Sequence, residues 1–350
     1  MKPEVHADRF GVLASGQPVQ EFTLDNGAGM QLKVLDFGGI LRSWTVRDRH
    51  GATIDLVLGF DTLQEYERDK AYFGGLVGRF ANRIGKGRFT LDNRAWQLPQ
   101  NDGANHLHGG PAGFSKQMWH VHAGADEDAA RVHLYRLSPA GEEGYPGTLV
   151  ALVMYELSKR GELCFQVMAM SDQSTPVSIS QHSYFNLAGG GDVLGHELCI
   201  DADYFLPTTP DLIPTGELHA VDGTPFDFRL PRRIGSGLCE EHEQLLRAHG
   251  YDHNFALVGG AGPHVCLSDP VSGRRMDIFT DAPGMQFYSG NYLDGSLGGL
   301  GRAFERYAGL CLEPQHFPDA PNHPDFPDAI CRPGTVSRMT TRYVLYCPGQ

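Results

Sequence analysis

The chain has 350 residues, 41% of them hydrophobic, with 44 glycines, 22 prolines and a formal net charge of −13. Glycine and proline together make up roughly a fifth of it, above the ~12% of average usage, below the ~25–30% of low-complexity sequence, and without a fixed period. That describes a turn-rich globular protein, and the acidic balance without a basic run argues against nucleic acid or an anionic membrane as partner.

Period-two alternation marks strands along the whole chain. Met30 to Leu35 alternates. Asp61 to Lys70 reads as a helix with Asp61 as its N-cap. Arg88–Leu91 and Arg94–Leu98 flank Asp92-Asn93, a two-residue hairpin turn. Met118 to His122 alternates again. Thr148–Leu157 and Glu162–Met170 form a longer hairpin about Ser158-Lys159-Arg160-Gly161. Cys239 to His249 reads as a second helix, stopped before Gly250. His264–Ser268 and Arg275–Phe279 form another hairpin, and Met339 to Cys347 is the last strand. The pattern gives fifteen to twenty strands against two or three short helices. It has no composition break, linker or repeat. It therefore predicts one large antiparallel all-β domain over residues 1–350, built of two packed sheets. Two proline-rich stretches, 207–214 and 314–333, interrupt it. The second contains His316, Phe317, His323 and Phe326 and is expected to be an ordered loop.

The longest apolar run, Leu149 to Tyr155, falls far short of the ~20 residues of a membrane span. The N-terminus lacks the apolar core of a secretion signal. The cysteines, at 164, 199, 239, 266, 311, 331 and 347, are odd in number and form no C-x-x-C. Reduced thiols in a cytoplasmic protein are the reading, rather than a disulfide framework or a zinc knuckle.

No nucleotide or hydrolase fingerprint is present. Gly74 to Arg79 lacks the last glycine of a dinucleotide loop and the Lys-Ser/Thr of a P-loop, and no G-x-S-x-G occurs. His106 and His108, two apart, would share a face in a strand and could suit a metal, although loop histidines are favoured there. Several segments instead mix imidazole, amide and carboxylate groups with aromatic rings. Hydroxyls need such polar partners, and a sugar ring face needs an aromatic one.

Six of these phrases occur in order: Gly-Arg-Phe-Ala-Asn-Arg-Ile at 78–84, Asn-His-Leu-His-Gly-Gly at 105–110, His-Ser-Tyr-Phe-Asn-Leu at 182–187, Tyr-Asp-His-Asn-Phe at 251–255, Met-Gln-Phe-Tyr-Ser-Gly-Asn at 285–291, and Glu-Pro-Gln-His-Phe-Pro-Asp-Ala-Pro-Asn at 313–322. With them the chain resembles, over nearly its whole length, the aldose 1-epimerase (galactose mutarotase) family. The resemblance implies a large antiparallel β-supersandwich and an enzyme that interconverts α and β anomers of free sugars such as galactose and glucose. It implies no cofactor and no metal. It makes Glu313 the base on the C1 hydroxyl and His182 the acid on the ring oxygen. It implies Asn82, Arg83, His108, Ser183, Tyr184, Asp252 and Gln286 as sugar-binding residues. Arg83 could also orient Glu313 or form a structural ion pair. His106 is a weaker candidate, and Tyr184 and Phe287 could line the sugar or belong to the core. Gly109-Gly110, Gly189 to Gly191 and the 314–333 loop are placed in or beside the site.

Two departures from the family stand out. Pro314 replaces the usual Thr after the glutamate, and Gln181 replaces the usual Asn before the histidine. Three alternatives remain: a hexose-6-phosphate 1-epimerase using Arg79, Arg83 and Arg88, a non-catalytic sugar-binding β-sandwich, and a β-sandwich glycosidase or lyase using Asp252 and Glu313. The protein is expected to be a monomer or homodimer.

Overall fold

A computed structural model describes residues 1–48 and 51–347. Three antiparallel sheets dominate it, one more than the sequence pattern suggests. The first has five strands in chain order: Glu4–Val12, Pro18–Asp25, Met30–Leu35, Leu41–Arg47 and Thr53–Asp55. The largest has nine. Its first four, His120–Ala125, Ala129–Ser138, Leu149–Ser158 and Glu162–Ser171, run as a meander. The final strand Ser337–Tyr346 then inserts beside them, followed outward by Arg275–Thr280, Val265–Ser268, Glu197–Ile200 and Arg232–Arg233. The third has six, in the order Tyr184–Phe185, Leu310–Gln315, Gly284–Tyr288, Asp252–Ala256, Tyr204–Phe205 and His219–Ala220.

Trp44 shows how the sheets meet. It belongs to the first sheet and packs edge-on against Phe185 of the third at 6.4 Å and Tyr343 of the second at 6.1 Å. One apolar cluster runs through all three sheets and includes Trp44, Tyr155, Phe165, Phe255 and Phe287.

The hairpins form where turn chemistry demands them. Asp92 and Asn93 both take positive φ, 51° and 59°, as a two-residue primed turn requires. The helices are shorter than expected. Leu63–Arg68 is capped by Thr62, not Asp61, in a reciprocal box with Glu65, and Asp61 instead accepts from the Leu300 amide at 3.0 Å. The stretch 239–249 is not one helix. Ile234–Leu238 ends at Cys239, and Glu243–Ala248 starts afresh from His242, whose ring accepts from the Gln244 amide. His249, at φ 56°, closes it, and Gly250 follows at φ 146°, where a Cβ would lie 2.2 Å from Asn291.

The described residues hold thirty strands, twelve of them only two residues long. The eighteen longer ones fall within the expected fifteen to twenty. The two-residue pairs are too short to carry an alternation.

The 314–333 segment is ordered. Phe317 packs edge-on against Phe326 at 5.2 Å, Ile330–Cys331 pairs with Thr175–Pro176, and Asp319 accepts from the Gly85 amide at 2.9 Å. The Asp319 amide in turn donates to the Arg83 carbonyl at 2.8 Å. The loop thus fastens the segment that carries Asn82 and Arg83. No helix among the described residues is long and apolar enough to cross a membrane.

Candidate active site

The register of the third sheet sets the site. Tyr184, Cys311, Tyr288 and Asp252 lie directly opposite one another across four strands. Two residues along, Glu313, Gln286 and Asn254 form the next row. Opposed residues and residues two apart share a face, so all seven side chains belong to one side of the sheet. The intervening Leu312, Met285, Phe287 and Phe255 point to the other side and enter the apolar core. Pro314 does not break this register. It sits opposite Met285, and its neighbours Glu313 and Gln315 keep their partners Gln286 and Gly284.

Three segments close over that polar face and leave a cavity of about 180 Å³. Lys70, Ala71 and Tyr72 come from one, Asn82 and Arg83 from another, and Leu107 and His108 from a third. His182, Tyr184, Asp252, Tyr288, Tyr292 and Glu313 complete the lining. The volume lies below the roughly 300–1,000 Å³ of drug-sized ligand pockets and suits a smaller molecule. Tyr72, Asn82 and His108 all take positive φ, 59°, 62° and 52°. Three side-chain-bearing residues in that costly region, around one cavity, mark a place where geometry is over-determined by its surroundings.

Asn82 and His108 lock each other. The His108 amide donates to the Asn82 carbonyl at 3.0 Å, and the Asn82 amide donates to His108 Nδ1 at 3.1 Å. An imidazole nitrogen that accepts carries no proton, so His108 holds its hydrogen on Nε2. Arg83 donates through Nε to Asp102 at 2.7 Å, and Gln286 donates to Asp252 at 2.7 Å. His182 Nε2 lies 3.8 Å from Glu313 Oε1. Glu313 Oε2 is buried and has no hydrogen-bond partner among the described residues.

Burial dominates the electrostatics. It pushes the Glu313 carboxyl well above the usual carboxylate range; Asp252 adds to the rise and Arg83 opposes it. It holds His182 down, to about 4, with the ring's own backbone carbonyl as the smaller opposing influence. His108 is depressed by burial and then by His182 and Arg83. Asp252 is raised by burial against the pull of Arg83 and Gln286. An ionised glutamate beside a charged histidine is the expectation from free side chains. The buried pair favours the reverse, a protonated Glu313 and a neutral His182. The number of protons on the pair, one, is the same.

The nearest ligating atoms of His108, His182 and Glu313 lie within 4.8 Å of one another. Two imidazoles and a carboxylate could hold a cation with open coordination positions. They also form a proton-exchanging group without one.

Of the predicted residues, Asn82, Arg83, His108, His182, Tyr184, Asp252 and Glu313 line the cavity. Gln286 lies behind Asp252. Ser183 is a correction. It lies between His182 and Tyr184 in the chain but takes no part in the cavity lining, and Gln181 donates to its hydroxyl. His106 is likewise turned away, because the strand ends at Leu107 and His108 enters the left-handed region. The His106 ring is held by the Pro99 carbonyl and the Tyr145 hydroxyl, each at 2.7 Å. Tyr184 serves both core and cavity, stacking on Phe73 at 4.3 Å, whereas Phe287 stacks on Tyr251 in the core.

Arg79, Arg83 and Arg88 form no cluster. Arg79 is spent on the carbonyls of Ser138, Pro139, Pro146 and Gly147, and Arg88 lines a separate cavity. Gly189 to Gly191 also lies off the cavity, where Arg302 donates to the Gly189 carbonyl. Sequence reasoning missed Lys70, Tyr72, Tyr288 and Tyr292. Tyr288 was recoverable, being two residues from Gln286 in one strand. Tyr72 lies in none of the six phrases.

The sequence model described as Aldose 1-epimerase matches residues 20–344. A galactose mutarotase of Bos taurus is 44% identical over 338 residues, covering 95% of this chain and 96% of the relative. An aldose 1-epimerase of Escherichia coli is 36% identical over 336 residues, covering 94% and 95%. The solved galactose 1-epimerase of Lactobacillus acidophilus superposes with a TM-score of 0.88 at 30% identity, covering 99% of each chain. With a family match that includes every segment lining the cavity, and relatives that cover 94–99% of its length, this chain belongs to the aldose 1-epimerase family, enzymes that interconvert the anomers of aldoses.

Proposed function

We propose that this protein interconverts the α and β anomers of free hexoses, D-galactose and D-glucose foremost, with Glu313 and His182 moving the protons. The observation that carries this is the pair itself: Nε2 and Oε1 are 3.8 Å apart at the floor of a small polar cavity, beside an unpaired carboxylate oxygen.

Ring opening needs a base at the C1 hydroxyl and an acid at the ring oxygen. The pair's one proton first passes from Glu313 to Nε2 of His182, and the proton of the C1 hydroxyl then passes to the ionised Glu313 as the C1–O5 bond breaks and the C1 carbonyl forms. The Nε2 proton of His182 passes to the ring oxygen. This leaves a protonated glutamate, a neutral imidazole and the open-chain aldehyde. Rotation about C1–C2 presents the other carbonyl face, and closure returns both protons. The buried cleft favours the protonation state reached on opening, so its electrostatics support the less stable, open sugar. Asp252 and Arg83 accept from and donate to sugar hydroxyls, and the Nε2–H of His108 faces the reacting end. Tyr72, Tyr288 and Tyr292 offer ring faces.

The whole chain acts as one domain in this reading, supported by the insertion of the last strand between Glu162–Ser171 and Arg275–Thr280. Its place is the cytoplasm, supported by seven free cysteines.

Polarimetry tests the proposal. Freshly dissolved α-D-glucose and α-D-galactose should lose optical rotation faster with the protein. Glu313→Gln and His182→Ala should each lower that rate by about 10²–10⁴-fold. Excess EDTA should leave it unchanged. Loss on chelation would instead mean that His108, His182 and Glu313 work around a cation. No acceleration with any free aldose overturns the reading, and acceleration with hexose 6-phosphates alone moves it to phosphorylated sugars, with Lys70 at the cavity as the available cation.

A further inference from the structure

Of the three imidazoles nearest the cavity, two have hard partners at Nδ1. His106 meets a carbonyl and His108 meets an amide N–H. His182 differs. Its Nδ1 lies 3.5 Å from the sulfur of Cys311, a fully buried thiol in the strand that also carries Glu313. The contact follows from register. Cys311 is opposite Tyr184 on one side and Tyr288 on the other, so its side chain shares the cavity face and lies beneath the imidazole two residues before Tyr184.

We infer that Cys311 is a positioning residue for His182: its sulfur accepts from Nδ1–H, keeping that proton on Nδ1 and leaving Nε2 as the ring atom that exchanges protons with the cavity. The thiol stays neutral, because burial and then the charges of Glu313 and Asp252 push it well above the ordinary thiol range. Sulfur is a weak acceptor. A carboxylate in that place would clamp and stabilise the imidazolium, as it does in hydrolase triads. The thiol orients the ring without holding its charge, which keeps His182 acidic enough to protonate a weakly basic ring oxygen.

The inference rests on His182 being the proton donor, and its test separates the two. In the wild-type full-length protein, ¹⁵N NMR of the His182 ring should show a protonated Nδ1 and an unprotonated or exchanging Nε2, whether or not sugar turns over. An unprotonated Nδ1 overturns the inference outright. Cys311→Val and Cys311→Ala err in opposite packing directions, and both lack the sulfur. Each should lower kcat about tenfold, the rate equivalent of one ordinary hydrogen bond. KM should stay within about twofold, and the second tautomer should appear in the ring spectrum. Variants that shift Tm but leave kcat and the tautomer unchanged would show that Cys311 only fills space. If His182→Ala retains activity, the acid assignment fails while the tautomer result stands.

Discussion

The hairpin of the nine-stranded sheet and the cavity strands of the six-stranded sheet use the same backbone to different ends. In Leu149–Ser158 and Glu162–Ser171 burial alternates residue by residue, and the buried positions are apolar up to the terminal Ser171. In Leu310–Gln315 and Gly284–Tyr288 every residue is buried. One side of these strands still meets the core. The other, with Cys311, Glu313, Gln286 and Tyr288, is covered by the segments around Tyr72, Asn82 and His108 instead of facing water. Burying polar groups costs stability unless they are paired. The orphaned oxygens of Glu313, Gln286 and Gln315 lie on that covered face. The hairpin is built for stability, and the cavity strands give some of it up to hold reactive groups away from water.

The largest expected effect is on the hairpin side. Phe165 is buried and packs against Tyr155 at 5.3 Å. Phe165→Ala should cost about 3–5 kcal/mol by transfer and cavity terms, measured by denaturant unfolding. The kcat of the folded fraction should not change. An equal loss of kcat would break the comparison, since it would tie the cavity's geometry to the far hairpin.

Asp252 comes next. Its carboxylate receives Gln286 and faces Arg83, so its part is to hold sugar hydroxyls. Asp252→Asn should raise KM about tenfold, the equivalent of one charged hydrogen bond. A collapse of kcat with KM unchanged would make Asp252 part of the proton chemistry. Because Asp252 also raises the Glu313 carboxyl, the same variant should bring that group's titration in kcat down in pH.

What the sequence disclosed follows the same division. The hairpins were legible because alternation and the Asp92-Asn93 turn are local signals. The two-residue strands, the break at 239–241 and the third sheet were not, since only tertiary pairing defines them. Within the site, the six phrases located most of the lining as stretches of chain, but a phrase does not say which way a side chain points. Ser183 was grouped with His182 and Tyr184 by adjacency, yet its hydroxyl is engaged by Gln181 and takes no part in the cavity lining. His106 and His108 looked equivalent until the positive φ of His108 separated them. Tyr72 carried no signal at all.

The smallest effect is the one that tests the cost assigned to the cavity. Glu313 has a folded-state pKa raised above its unfolded value, chiefly by burial. Such a group favours folding while both states are protonated, and that contribution is lost as pH rises through the folded pKa. Ionising Glu313 inside the cleft therefore destabilises the native protein on the alkaline side. Glu313→Gln has nearly the same shape and cannot ionise, so it removes this loss along with the activity. At pH 4, below the ordinary carboxyl value, the variant and the parent should melt together. Toward pH 8 the variant should become the more stable, by about one to three degrees given the small shifts expected for a chain this long. A variant that melts lower than the parent at every pH would mean that the Glu313 carboxylate is structurally paired, and the cavity strands would then no longer stand apart from the hairpin as the place where stability is given up.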